Sequence, residues 1–349
     1  MDIIMVNKFA TIMRCLRACS RNKFRSHGFL SAGAEFIPRT TATPEHGKYR
    51  LAALLIFLLA FLPGVHAATV AQNAPSIVVS IKPLYSLTAH ITEGVTTPVL
   101  LLQQAQSPHH YNLRPSQRRQ LAQADVIIRV GPVLESFLDK VLKQQKGLLV
   151  DAWRSPGLEL LTKRGRHTHT DRPSPDHVAQ TDPHIWLSAH NATAISRYIS
   201  QQLAAYDPAH ANNYKANLEK LLERIDQTDA VVRAQLDNPQ RPFISFHDAF
   251  QYFEKAYGLN RVSSINLDEE TGSSLKHLRT ISALIREQQI HCLVYQPPQP
   301  ALVSSLRQST GINAVALDPL GIDSRNDREA WFEIMQQLGA GFSRCLSGS

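Results

Sequence analysis

From residue 76 the chain alternates short apolar runs, rich in β-branched residues, with stretches of helical periodicity. "SIVVSIKP" reads as a strand and "LYSLTAHIT" as a helix behind it. "TPVLLL" is a strand, and "PSQRRQLAQA" a helix that tolerates Pro115 in its first turn. "DVIIRVG" predicts a strand, "VLESFLDKVLKQ" a helix and "GLLVDA" another strand. Alternation of this kind indicates a parallel sheet with helices on its faces. Residues 162–182, "TKRGRHTHTDRPSPDHVAQTD", break the pattern with polar residues, proline and histidine, and read as an exposed loop.

The middle of the chain changes period. From Asp207 to Leu236 the apolar positions Tyr214, Leu218, Leu221, Leu222, Ile225, Val232 and Leu236 recur close to every 3.6 residues, and Asp207-Pro208 reads as the start of one long helix. Strand and helix then resume, from "PFISF" and "HDAFQYFEKAYG" to "NAVALD" and "REAWFEIMQQLGAGF". The expected fold class is α/β, with two lobes, each a mostly parallel sheet flanked by helices. One long helix joins them, and the ligand site lies in the inter-lobe cleft. The expected organisation is a leader over 1–67, an N-terminal lobe over 76–188, connecting helices over 189–240 including a strut over 207–236, and a C-terminal lobe over 241–349.

Charge sharpens this picture by removing one class of partner. The formal charge is +8, but residues 1–67 hold nine Lys/Arg against three Asp/Glu. The remainder holds 28 against 26, so the basicity belongs to the leader and nucleic acid is not an expected partner. In that leader, Lys48 and Arg50 precede an apolar run from Leu51 to Leu62, a Pro-Gly break and Val65-His66-Ala67. This is the order of a secretory signal peptide, with cleavage expected after Ala67 and export of a soluble product. The run is shorter than the ~20 residues a spanning helix needs. Residues 1–45 stand upstream either as a long n-region or as an overextended start. Of the four cysteines, Cys15 and Cys19 fall in the leader, and the exported part keeps Cys292 and Cys345. In an oxidising compartment such a pair reads as a disulfide.

Twelve histidines follow the leader, and position sorts them. His109 follows the strand "TPVLLL" after a short loop, His184 lies in "TDPHIWLS", His247 directly follows "PFISF", and Asp318 follows "NAVAL". Two candidates from each lobe near strand ends are the distribution expected of a metal held in the cleft. Three imidazoles with one oxygen ligand or a water suit a borderline ion such as Zn²⁺. Ca²⁺ or Mg²⁺ would want mostly oxygen donors, while copper and nickel also accept imidazole. His167 and His169 in "HTHTD" form a candidate auxiliary metal loop. His90, His190, His210, His277 and His291 fall on or beside predicted elements and read as structural.

The segments "SPHHYNLRPSQ", "DPHIWLS", "ISFHDAFQYFEKAYGL" and "ALDPLG" resemble, in order, the four binding-loop motifs of periplasmic zinc-binding proteins of ABC importers. The resemblance runs from about residue 76 to the C-terminus. It implies a solute-binding protein that takes up Zn(II) as its transported ligand. Its partners would be a permease and its ATPase in the inner membrane, and it would work as a monomer and not as an enzyme. Within Pro-His-x-Tyr the family's ligand is the histidine after proline, His109, which leaves His110 at the variable position. The second and third ligands fall on His184 and His247, and the Cys292/Cys345 pair matches the zinc-type pattern. Two departures stand out. Pro108 occupies a position where some members carry a glutamate, which leaves the fourth ligand to Asp318 or water. The His-rich loop common in the family is reduced here to "HTHTD". Neutral imidazoles must compete with protons, so affinity is expected to fall as pH drops through the histidine range. The competing readings are a manganese or iron carrier of the same fold, an adhesin, and a zinc hydrolase. The last finds no His-Glu-x-x-His helix or Gly-x-Ser-x-Gly elbow to support it.

Overall fold

The computed structural model describes residues 73–103, 107–164, 181–266, 275–324 and 327–347. The expected leader and its expected cleavage after Ala67, and His167 and His169, lie outside the described residues. The first lobe holds strands β1 (Ile77–Val79), β2 (Val99–Leu100), β3 (Val126–Arg129) and β4 (Leu148–Asp151), all parallel in the order β2-β1-β3-β4. β1 and β3 are buried along their whole length. That is why they read as unbroken apolar runs instead of alternating ones. Helices α1 (Lys82–Ile91) and α2 (Pro115–Gln123) begin on or beside prolines that need no N–H partner in a first turn.

The helix expected over "VLESFLDKVLKQ" is mostly absent. A 3₁₀ turn over Ser136–Leu138 runs into the four-residue helix α3 (Asp139–Leu142). The fully buried Glu135 explains the interruption, because its carboxylate is drawn inward to the strand ends. It accepts from the Ser80 hydroxyl at 2.5 Å, from Val130 N–H at 3.0 Å and from Gly131 N–H at 2.8 Å. A carboxylate used to close the ends of β1 and β3 fixes its own backbone away from a helical turn.

The second lobe repeats the plan. β5 (Pro242–His247), β6 (Asn260–Asn266), β7 (Cys292–Tyr295) and β8 (Asn313–Ala316) form a parallel sheet in the order β6-β5-β7-β8. This lobe carries helices α6 (Gln251–Tyr257), α7 (Leu275–Glu287), α8 (Ala301–Thr310) and α9 (Ala330–Ser347), following α4 (Ala189–Tyr206) and α5 (Ala211–Gln235) between the lobes. The described chain is thus the expected two-lobed α/β fold. Among its described residues, no helix is long and apolar enough to cross a membrane.

The long helix α5 is shorter than its periodicity suggested. It starts at Ala211, after a separate 3₁₀ turn over Pro208–His210, because Pro208 forces Asp207 out of helical geometry and ends α4. Asp207 still acts on the start of α5. Its Oδ2 accepts from the Tyr214 hydroxyl and pairs with His210 Nδ1, both at 2.7 Å. The buried stripe of α5, namely Tyr214, Leu221, Ile225, Thr228 and Val232, packs on α4, α9 and α1, so one helix contacts both lobes.

Polar contacts also bridge the lobes directly. Lys82 Nζ, at the start of α1, donates to the carbonyls of Ile322 and Ser324 at 3.1 and 3.3 Å and pairs with Asp327 at 3.1 Å. At the far end of α1 the buried His90 meets Arg224 at 3.3 Å, Arg328 at 3.5 Å and Glu329 at 3.5 Å. Its ring stands edge-on to Phe332, and Glu93 lies nearby. Burial, reinforced by the Arg328 and Arg224 guanidinium groups against the opposing pull of Glu329 and Glu93, lowers the His90 pKa from 6.5 to about 4. The fold therefore favours the neutral ring. Its contribution is complete above pH 6.5 and is lost as pH falls from there toward about 4, where the unfolded chain binds the extra proton. His90→Gln should accordingly lose less stability than wild type between pH 7 and 4.5 in urea titrations of the metal-free protein. Equal losses would remove His90 from the acid response.

Candidate metal centre

Three of the four sequence candidates meet. His109 leaves the loop after β2, with its N–H donating to the Ser107 hydroxyl at 3.2 Å. His184 follows Asp182 and Pro183 ahead of α4, and His247 is the last residue of β5. Their ring centroids lie 5.5, 5.6 and 6.2 Å apart, and one ring nitrogen from each falls within 4.8 Å of the others. In a tetrahedral zinc site with N at about 2.0–2.1 Å from the metal, nitrogens stand roughly 3.4 Å apart. Small ring rotations therefore suffice to close the set. Two ligand candidates come from the first lobe and one from the second. His247 ends the strand that starts the second sheet, next to the point where the strand order reverses, where open α/β sheets present their binding crevices.

The surroundings prepare these rings for a cation. Burial, aided by the neighbouring His184 and the Lys163 ammonium, pushes His109 down to about 3. It thus stands neutral, with a lone pair available, throughout the physiological range. A loss of affinity through the ordinary histidine range is therefore not carried by His109, whose proton competes only in stronger acid. His184 is held on two sides. Its Nδ1 lies 2.7 Å from Asp182 Oδ1, and its ring packs at 5.4 Å from Trp186. Trp186 is itself pinned across the cleft, donating Nε1–H to the Pro319 carbonyl and accepting from Trp331 Nε1–H at its own carbonyl, each at 2.8 Å.

Asp318 is outside the cluster. Its carboxylate accepts backbone N–H groups from Leu320 at 2.9 Å, Gly321 at 3.0 Å and Ile322 at 2.5 Å. Both oxygens are committed to shaping the loop that Lys82 and Trp186 clasp from the other lobe. His110 is exposed beside His109. Three other described histidines serve local bonds: His190 to the Gly157 carbonyl at 3.0 Å, His277 to the Ser264 carbonyl at 3.1 Å, and His210 to Asp207. The sequence reading passed over Asp182 as a support of His184. The available signal was a carboxylate two residues before a candidate ligand. Tyr252 of α6, whose buried hydroxyl meets the Asp182 carbonyl, carried no such signal, since it falls on the apolar face of an amphipathic helix.

Comparison with known proteins places this geometry in context. The chain is similar to the high-affinity zinc uptake system protein ZnuA of Brucella suis, 29% identical over 327 residues that cover 84% of this chain and 98% of that protein. It is 30% identical to the protein of the same name from Haemophilus ducreyi, over 80% of this chain and 95% of that one. Among solved structures, a crystal structure of ZnuA superposes with a TM-score of 0.67 at 23% identity, covering 78% of this chain and 99% of that one. At 17% identity the Mn²⁺ complex of the solute-binding protein FpvC from Pseudomonas aeruginosa shares the fold with the same TM-score, covering 78% of this chain and 98% of that chain. The family profile described as zinc-uptake complex component A, periplasmic, matches residues 77–345, and the chain belongs to that family.

Proposed function

We propose that this protein captures Zn²⁺ in the periplasm through His109, His184 and His247 and delivers it to a membrane permease driven by an ATPase. The observation that carries the reading is the convergence of three imidazole nitrogens from two lobes within 4.8 Å. An all-nitrogen set favours a borderline ion over hard cations that prefer oxygen. The zinc-uptake names of its relatives point the same way. The chemistry is coordination, not turnover. With the Asp318 carboxylate already holding three amides, the fourth position belongs to a water. A leader ending at Ala67 accounts for export, and the protein acts as a monomer whose two lobes are held by α5 and the Lys82 and Trp186 contacts.

Elemental analysis of the protein purified from the periplasm, with a chelated control, tests the metal. Stoichiometric zinc that Mn²⁺ in excess does not displace is the expected result. Preferential retention of manganese, or no bound metal, would overturn the assignment.

A further inference from the structure

Asp182 is 2% exposed, and one oxygen of its carboxylate grips His184 twice. Oδ1 accepts the His184 backbone N–H at 3.0 Å and lies 2.7 Å from the ring Nδ1. A carboxylate facing Nδ1 selects the ring form that carries its proton there, which leaves Nε2 with the lone pair a metal needs. The backbone of the same residue forms a neck with Leu161, where two described stretches of the chain meet. Asp182 N–H donates to the Leu161 carbonyl at 2.8 Å, beside an antiparallel bridge between Thr162 and Thr181.

Into this neck α6 inserts a hydroxyl from the second lobe. Tyr252, 1% exposed, accepts from Leu161 N–H at 3.1 Å and donates to the Asp182 carbonyl at 2.9 Å. Gln251 adds a bond to the Thr162 carbonyl at 3.1 Å. Tyr252 stands just beyond His247 on the chain, so one hydroxyl ties the strand end bearing one ligand candidate to the residue that orients another. Both of its hydrogen-bonding roles are filled by backbone groups of the neck. A phenylalanine would fit the space and lose only these bonds.

We propose that Asp182 and Tyr252 form a positioning relay that fixes the His184 ring form and its placement against His247, so that the Tyr252 bonds to Leu161 and Asp182 are linked to metal affinity. The affinity part of this proposal rests on the zinc-binding reading. The ring-form part does not. The test uses the full exported chain and ZnCl₂ competed against a chromophoric chelator, together with ¹⁵N NMR of His184 in the zinc-free protein.

Asp182→Asn is expected to weaken zinc binding by about 10–100-fold, the usual range for partners of metal-bound histidines, and to give a mixture of ring forms. Tyr252→Phe, which loses no packing volume, is expected to weaken it by roughly 2–10-fold and shift the ring forms in the same direction. Tyr257→Phe is the control. It removes a buried hydroxyl from the same helix, one that donates to Asp229 at 2.8 Å, and should leave both readouts at wild-type values. Tyr252→Phe with wild-type affinity and ring form would overturn the relay, as would an equal effect from Tyr257→Phe. If wild type binds no zinc, the proposed function fails while the His184 spectrum still decides the relay. Should Asp182→Asn not fold, Tyr252→Phe decides alone.

Discussion

His109→Ala is expected to weaken zinc binding by two to three decades, and His110→Ala to leave it within a few-fold, although the two residues are adjacent. Zinc bound by four protein ligands is held by about 10–16 kcal/mol at neutral pH, so one ligand accounts for roughly 2.5–4 kcal/mol, or two to three decades in affinity. His109 is the member of the pair whose ring joins His184 and His247, and burial keeps it neutral and ready to bind. His110 is exposed next to it. The comparison is internal, because both substitutions delete an imidazole from the same loop. Isothermal titration with a competing chelator reads it directly. Equal losses at the two positions would mean that the loop as a whole, and not one ring, supports binding. No loss at His109 would dismantle the three-histidine centre.

The same loop shows what a sequence can and cannot disclose here. The apolar cores of "SIVVS" and "DVIIRV", Ile77–Val79 and Val126–Ile128, are strand residues buried on both faces, and that burial is what makes them legible. The convergence of His109, His184 and His247 was legible because each follows a strand or precedes a helix on the crevice side of a sheet. Asp318 met the same criterion and nonetheless turned to its own backbone. Strand-end position specifies where a side chain starts but not which donors reach it first, and three amides of the following turn lie closer than any ring. The failed helix at Glu135 has a related cause. Its local pattern was helical, but a buried carboxylate serving distant strand ends overrode it. Likewise the start of α5 depended on the proline's effect on the residue before it, which a hydrophobic period does not register. Tyr252 marks the limit. Its role depends on a loop neck from the other lobe packing against it, and periodicity assigns it only to the core.

Replacing both Cys292 and Cys345 by alanine is expected to lower the stability of the protein by about 4 kcal/mol while leaving zinc affinity nearly unchanged. The two sulfurs are bonded, 53 residues apart in sequence, with Cα atoms 5.1 Å apart and both residues buried. Closing a loop of that length removes conformational freedom from the unfolded chain worth about 4 kcal/mol in the chain-entropy account. The bond joins β7, an inner strand of the second sheet, to the last turn of α9. That helix seats Phe342 against Phe243, Phe250 and Phe253 at centroid distances of 5.1–5.7 Å, the aromatic core under β5. Without the crosslink, α9 is retained only by non-covalent packing and hydrogen bonds, and its end is where unfolding should begin. A protein of this size loses about 2–4 °C in Tm per kcal/mol, so the midpoint should drop by roughly 10 °C. His247 lies at the far end of β5 from the residue paired with Cys292, and β5 stays hydrogen-bonded on both sides. The folded variant should therefore bind zinc as wild type does and gain the same increment in Tm from saturating metal, as linkage requires. An unchanged midpoint would show that packing of α9 makes the crosslink redundant. A large loss of affinity in the folded variant would instead show that the crosslinked end of α9 acts on the metal centre, which the helix touches only from its opposite end, through Trp331.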